Sequence, residues 1–187
     1  MIALSGLPRI IVGASSQHYP GWIQTQEDDL DIVVRDDWVR RWAPGSLQCI
    51  LAEHVWEHLT PGDGRAAARN CYELLHAGGW VRCAVPDGNF PDPAYQQLVQ
   101  VGGPGPLDHP ASSHQVVYRL STLVPIFAEA GFEVYPLEWW DEHGVFHERP
   151  WDPADGFVYR SRRFDHRNSG STIGFTSLLI DAPKPAP

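Results

Sequence analysis

The chain is short of the features that mark several protein classes. It carries 14 Lys and Arg against 23 Asp and Glu, for a formal net charge of −9. That shortage of cations argues against a nucleic-acid partner, because phosphates are held by Lys and Arg. No apolar run approaches the roughly 20 residues that cross a bilayer, so no membrane partner is expected. Met1–Pro8 lacks a basic stretch followed by a long apolar one, so we expect no signal peptide and a cytoplasmic location. The three cysteines, Cys49, Cys71 and Cys83, are odd in number and widely spaced. That fits neither a disulfide framework nor a zinc knuckle, and each is expected to be buried and reduced. Internal repeats and low-complexity tracts are absent too. What is present, 187 residues with 43% hydrophobic and 20% charged side chains, suits one domain with its own core. The acidity fits a soluble protein whose partner is a small molecule. None of these features specifies an oligomeric state.

The order of patterns predicts an α/β fold. Arg9–Val12 is a β-branched run that stops at Gly13-Ala-Ser-Ser, which reads as a buried strand and a turn. A second strand follows around Trp22–Gln26. Gly13–Gly21 is too short, and too broken by Pro20, to hold a helix between them. Leu47–Ala52 is the next strand. A helix from Asp63 to Leu75, stopped by Gly78-Gly79, leads to a strand over Trp80–Val85 that closes at Pro86-Asp87-Gly88. Gly102–Pro110 reads as a loop, and Ser121 as the cap of a helix running to Ala130. Strands over Phe132–Trp139 and Phe175–Asp181 flank an excursion at about 140–174. Alternating strands and helices argue for a mostly parallel, Rossmann-like sheet. The last two strands lack a crossover helix and are expected to pair antiparallel. The whole chain, 1–187, reads as a single domain.

Three stretches carry a family resemblance. They are Ile50-Leu-Ala-Glu-His-Val-Trp-Glu-His-Leu59, then Leu75-His-Ala-Gly-Gly79, then Trp80-Val-Arg-Cys-Ala-Val-Pro-Asp87. Their order resembles the middle of class I S-adenosylmethionine (SAM) methyltransferases, in particular the small type 11-like members. His114, followed by the helix ending Ala130-Gly-Phe132, is similar to that family's later segment. The resemblance implies a methyltransferase-like fold and SAM as cofactor, with a methyl group transferred to a small-molecule acceptor. It places the cofactor across Gly13, Ala14, Ser15, Gln26, Trp38, Glu53 and His54. Asp87, His109, Trp140 and His143 would border the substrate, with His114 and His58 as acid–base groups. The sequence departs from the family at its cofactor end: Gly13-Ala-Ser-Ser-Gln-His-Tyr-Pro-Gly21 stands where Gly-x-Gly-x-Gly and a helix are usual. Gln26 stands near the acidic position that grips the ribose. A weakened SAM site and a lost one both remain open.

Other readings stand beside this one. A non-methylating member of the fold could run a cyclisation or rearrangement with His54, His58 and His114 as acid–base groups. His54-Val-Trp-Glu57-His58 formally matches a His-x-x-Glu-His zinc pattern, the basis of a metal-dependent hydrolase, but that pattern needs a helix. The competing reading is a strand end followed by a turn, and no metal ligand is assigned. Asp108 and His109 could be partners or simply solvated. Arg160, Arg162, Arg163 and Arg167 could hold an anion, or pair with Asp152, Asp155 and Asp165.

Overall fold

The computed structural model describes residues 6–107 and 109–186. One sheet runs through the molecule in the order β2-β1-β3-β4-β7-β5-β6. β1 (Arg9–Val12), β2 (Trp22–Gln24), β3 (Leu47–Glu53) and β4 (Leu75–Pro86) are parallel. β7 (Ser177–Pro183) lies antiparallel between β4 and β5 (Tyr135–Trp140), and β6 (Phe146–Glu148) closes the edge against β5. The mostly parallel α/β reading holds, as does the antiparallel pairing of the last two long strands. No helix separates β1 from β2.

Local chemistry sets the helices. α2 (Pro61–Leu74) starts two residues earlier than expected, because Thr60 is its cap: the Thr60 hydroxyl accepts from the Asp63 N–H and donates to the Asp63 carboxylate. Pro61 occupies the first turn, where its missing N–H costs nothing. Gly78-Gly79 does not stop this helix. The chain enters β4 directly at Leu75, and Gly79 lies where a Cβ would sit 2.7 Å from the Gln48 carbonyl. Strand β3 therefore tolerates only glycine there. α4 (Leu120–Ala128) begins after Arg119 rather than at Ser121. The short helices α1 (Arg35–Val39) and α3 (Pro93–Val99) carry too few residues for a periodic signal.

The two faces of the sheet differ. Alternate strand residues Ile10, Val12, Ile50, Ala52, Val81, Cys83 and Leu178 meet α2 and α4 in the main core. Opposite positions Ile11, Leu51, Ala84 and Leu179 meet Val158, part of an irregular strap formed by residues 149–165. Period-two alternation puts Glu53 and Arg82 on this second face. Among the described residues, no helix is long and apolar enough to cross a membrane.

Candidate active site

The strand order changes direction between β1 and β3, and ligands in open α/β sheets sit beyond the strand ends at such a point. Gly13 follows β1 there with φ +59°, and a Cβ on it would lie 2.8 Å from Val55 Cγ2. Ser15 and His54 also take positive φ, +48° and +58°. Such backbone is uncommon outside glycine and clusters at functional sites. The His54 N–H donates to the Ala84 carbonyl, and its Nε2 lies 2.8 Å from Ser177 Oγ, fixing the ring.

Two adjoining chambers open at this point and share Gly13, Ser15, His54 and His109. The first, about 410 Å³, has apolar walls from Leu30, Ile32 and Leu59 and carboxylates from Glu27 and Asp31. Its 27–32 wall is held from below: Asn70 Nδ2 donates to the Ile32 and Val33 carbonyls, each at 3.0 Å. The second, about 660 Å³, is bordered by Glu53, Tyr159, Arg160 and Arg167. A separate hollow of about 660 Å³ under the strap touches none of the shared residues, and there Arg162 pairs with Glu148.

The sequence-expected residues divide. Gly13, Ser15, Gln26, His54, His58 and His109 line the first chamber, and Ala14 and Glu53 the second. Two of them are committed to the protein itself. Gln26 clamps the loop, with Ser15 N–H donating to Oε1 at 3.0 Å and Nε2 donating to the Ser15 carbonyl at 2.9 Å. The Glu53 carboxylate accepts from the Tyr159 and Arg160 N–H groups and from Gln17, so it docks the strap.

Four expectations fail. Trp38 is fully buried in the helix-face core, its indole donating to the Ile32 carbonyl, so it cannot stack on a ligand. Asp87 is fully buried and accepts from the Asn89 and Trp140 N–H groups, which makes it a latch between strand ends rather than a substrate contact. Trp140 packs on Phe90 and Phe146, away from both chambers. His143 sits on an exposed hairpin turn with its side chain 78% accessible. His114 also differs from expectation: it is buried behind His109 rather than on the chamber wall. Asp108 lies outside the described residues.

Around His54 the residues form a dense group. His54 Nδ1 is 3.2 Å from Glu57 Oε1, and His109 Nε2 is 3.1 Å from the same oxygen. The 3-10 turn Trp56–His58 carries Glu57 and His58, so the helix that a His-x-x-Glu-His zinc site requires is not there. Burial holds His54 well below the ordinary imidazole range and lowers His58 less strongly. Burial also pushes the Glu57 carboxyl up to about 7. Sequence reasoning missed Gln17, Ser177 and Tyr159, which carry no motif.

No protein-family model matches the sequence, and no curated protein matches it. Solved structures do. A SAM-dependent methyltransferase from Archaeoglobus fulgidus aligns over 97% of this chain and 88% of its own, with TM-score 0.55 and 11% identity. CurJ carbon methyltransferase aligns over 100% of this chain and 50% of its own, with TM-score 0.54 and 12% identity. SAM-dependent methyltransferase SibL in its apo form aligns over 97% and 52%, with TM-score 0.51 and 13% identity. The chain thus spans about half the length of the last two. Strand order, direction reversal and these alignments agree that the chain has the Rossmann-like fold of the class I SAM-dependent methyltransferases.

Proposed function

We propose that the chain binds SAM in the paired chambers and transfers its methyl group to a small-molecule acceptor. The observation that carries this is the placement of Gly13, Ser15 and His54, all with left-handed backbone, around one crevice at the β1/β3 reversal. The donor set fits the cofactor. Glu27 and Asp31 would hold the ribose hydroxyls by charge-assisted hydrogen bonds, and Leu30, Ile32 and Leu59 would flank the adenine. Glu27 thereby takes the part that the loop clamp denies to Gln26. Arg160 and Arg167 border the second chamber, where Arg167 is paired with Asp165 and Arg160 Nη1 lies 3.7 Å from Glu53 Oε1.

Bound there, SAM supplies an already activated methyl group, whose transfer depends on alignment more than on covalent help. The chain's own residues shape the crevice and exclude water, with the His54 and His109 rings on the wall that both chambers share. The His54 nitrogens face Ser177 and Glu57, and His114 is buried behind His109. The formal charge of −9 supports a small molecule over a nucleic acid, and three buried free thiols support a reducing, cytoplasmic setting.

Titration calorimetry with SAM and S-adenosylhomocysteine tests the reading. Stoichiometric heat is expected, weakened about tenfold or more when Glu27 and Asp31 are both changed to Ala, a loss of at least ~1.4 kcal/mol. No heat and no thermal shift at millimolar SAM would overturn it. One observation favours a second reading, a rearrangement without methyl transfer: the Ala14 and Ser15 N–H groups are already taken by Thr25 and Gln26. Product mass separates the two, since transfer adds a methylene and rearrangement adds nothing.

A further inference from the structure

Three imidazoles and a carboxylate from two distant segments meet beside the chambers. Glu57 and His58 come from the turn after β3, and His109 and His114 from the loop between α3 and α4. One donor atom from each lies within 4.8 Å of all the others.

The orientation of the donors is specific. His114 Nδ1 lies 2.7 Å from the Val99 carbonyl, which can only accept, so Nδ1 carries the proton and Nε2 keeps its lone pair. That Nε2 faces His109 Nε2 at 3.3 Å, and His109 Nε2 in turn is 3.1 Å from Glu57 Oε1. Two ligands bound to one tetrahedral ion at about 2.0–2.1 Å stand about 3.3 Å apart, so these spacings are those of neighbours on one ion. His58 Nδ1 is engaged with Ser113 Oγ at 2.9 Å, which leaves its Nε2 as the donor. The Val99 carbonyl and Ser113 hydroxyl occupy the outer positions that orient metal-binding imidazoles.

The carboxyl group has an oxygen to offer. Glu57 is fully buried, with the His54 and His109 rings 3.2 and 3.1 Å from its Oε1. Among the described residues its Oε2 has no hydrogen-bond partner. A buried polar oxygen left this way is costly. The backbone already holds the segments together, with Gln115 N–H donating to the Glu57 carbonyl at 2.7 Å. Gly105, at φ +66°, lies so close to the Pro110–Ala111 backbone that no side chain fits. The donors are therefore set on tightly folded chain.

We infer that Glu57, His58, His109 and His114 bind one divalent transition-metal ion, zinc being the ion that three imidazoles and a carboxylate suit best. The four donors close the coordination sphere, so the ion ties the loop over 102–114 to the end of β3. The inference does not depend on SAM binding.

The test uses the full chain, stripped of metal with a chelator and checked for folding by circular dichroism. On adding zinc we expect one bound equivalent by elemental analysis. Thermal unfolding should rise by about 5 °C or more at saturating metal. Cobalt should give the strong visible absorption of a tetrahedral site, and hydrogen exchange over 102–114 should slow. His58→Ala and His109→Ala should each weaken zinc binding about 100-fold or more, while His143→Ala leaves it unchanged. A folded chain that takes up no stoichiometric zinc would overturn the inference, as would zinc binding that survives the His58→Ala/His109→Ala double variant. SAM calorimetry on the stripped chain is read separately, so failure of either reading leaves the other measurable.

Discussion

On the helix face of the sheet, α2 and α4 close their own backbone hydrogen bonds, and what they offer the strands is apolar: Ala67, Ala68, Cys71, Leu74, Leu123 and Phe127 are all buried there. On the strap face, residues 149–165 have no such internal ladder. Their N–H and carbonyl groups still need partners once water is gone, and buried charged side chains from the sheet provide them. Arg82 donates to the Asp152 and Gly156 carbonyls and forms a two-point pair with Asp181. Glu53 accepts from Tyr159 and Arg160, and Glu138 from Arg162 and Trp151. With no helix between β1 and β2, an irregular segment covers this face, and three buried charged residues bond it, with Arg9 and Trp80 donating to its Ala154 and Asp155 carbonyls. The helix face is thus stabilised by volume and the strap face by satisfied polarity. The same strap supplies the Tyr159 and Arg160 border of the second chamber, which links this polarity to the crevice.

The largest effect should come from Arg82→Ala. It leaves Asp181 without its cation and two carbonyls without donors. We expect a loss of about 4 kcal/mol, read by urea unfolding. A loss below about 1 kcal/mol would show that apolar contact alone carries the strap. On the other face, Leu74→Ala removes a fully buried side chain and should cost about 3 kcal/mol through lost burial and the cavity left behind. Its cost should change little between about pH 5 and 8, because Leu74 belongs to an apolar core whose thiols and phenol are raised above their ordinary range by burial.

Buried carboxyls on the strap face and at the end of β4 should respond to pH. Burial raises the Glu53 and Glu138 carboxyls above the ordinary range, and it pushes Asp87, the latch at the end of β4, up to about 6. A raised carboxyl keeps its proton in the folded state to higher pH than in the unfolded chain. Its contribution is therefore full below the unfolded value and lost as pH rises through the folded one. For Asp87 the window runs from 3.8 to about 6, and the change across it is about 3 kcal/mol. Subtracting the stability of Asp87→Asn from that of the native chain at each pH isolates this slope. A flat difference would show that the N–H groups of Asn89 and Trp140 fully offset the burial. Glu53→Gln, which turns an amide NH₂ toward N–H donors, should cost about 2 kcal/mol and speed hydrogen exchange at Tyr159 and Arg160.

The comparison also explains what could be read in advance. Buried parallel strands announce themselves as apolar runs, so β1, β3 and β4 were legible, and with them the crevice residues Gly13, Ser15 and His54. The short interval before Gly21 was enough to show the missing helix. The strap was not legible, because it is held by bonds such as Glu53 to Arg160 and Arg82 to Gly156, which join residues far apart in sequence. Periodicity carries no trace of them. Trp38 illustrates the limit from the other side. An aromatic ring near the expected adenine position suggests stacking, but Asn70 draws the 32–33 backbone inward, and the Ile32 carbonyl then takes the indole N–H. His109 and His114 were legible as residues near a site. Their convergence on Glu57 was not, since it depends on how a Gly- and Pro-rich loop turns back.

The smallest effect belongs to His143, whose residue type is the same as that of the buried cluster and whose setting is the opposite. It lies on the β5–β6 turn, its ring 3.8 Å from the exposed Glu142 carboxylate and its backbone N–H donating to Asp141 Oδ1. Water solvates the ring in folded and unfolded chains alike, so His143→Ala should change stability by no more than about 0.5 kcal/mol. SAM affinity should not change either, because the turn reaches neither chamber. Thermal unfolding and calorimetry on this one variant check both statements. A clear loss of binding would mean that the β5–β6 turn folds over the crevice when ligand is present, and the strap face would then gain a second, movable part. An unchanged variant would confine the chemistry of the 140–174 excursion to the strap and the 166–167 segment that borders the second chamber.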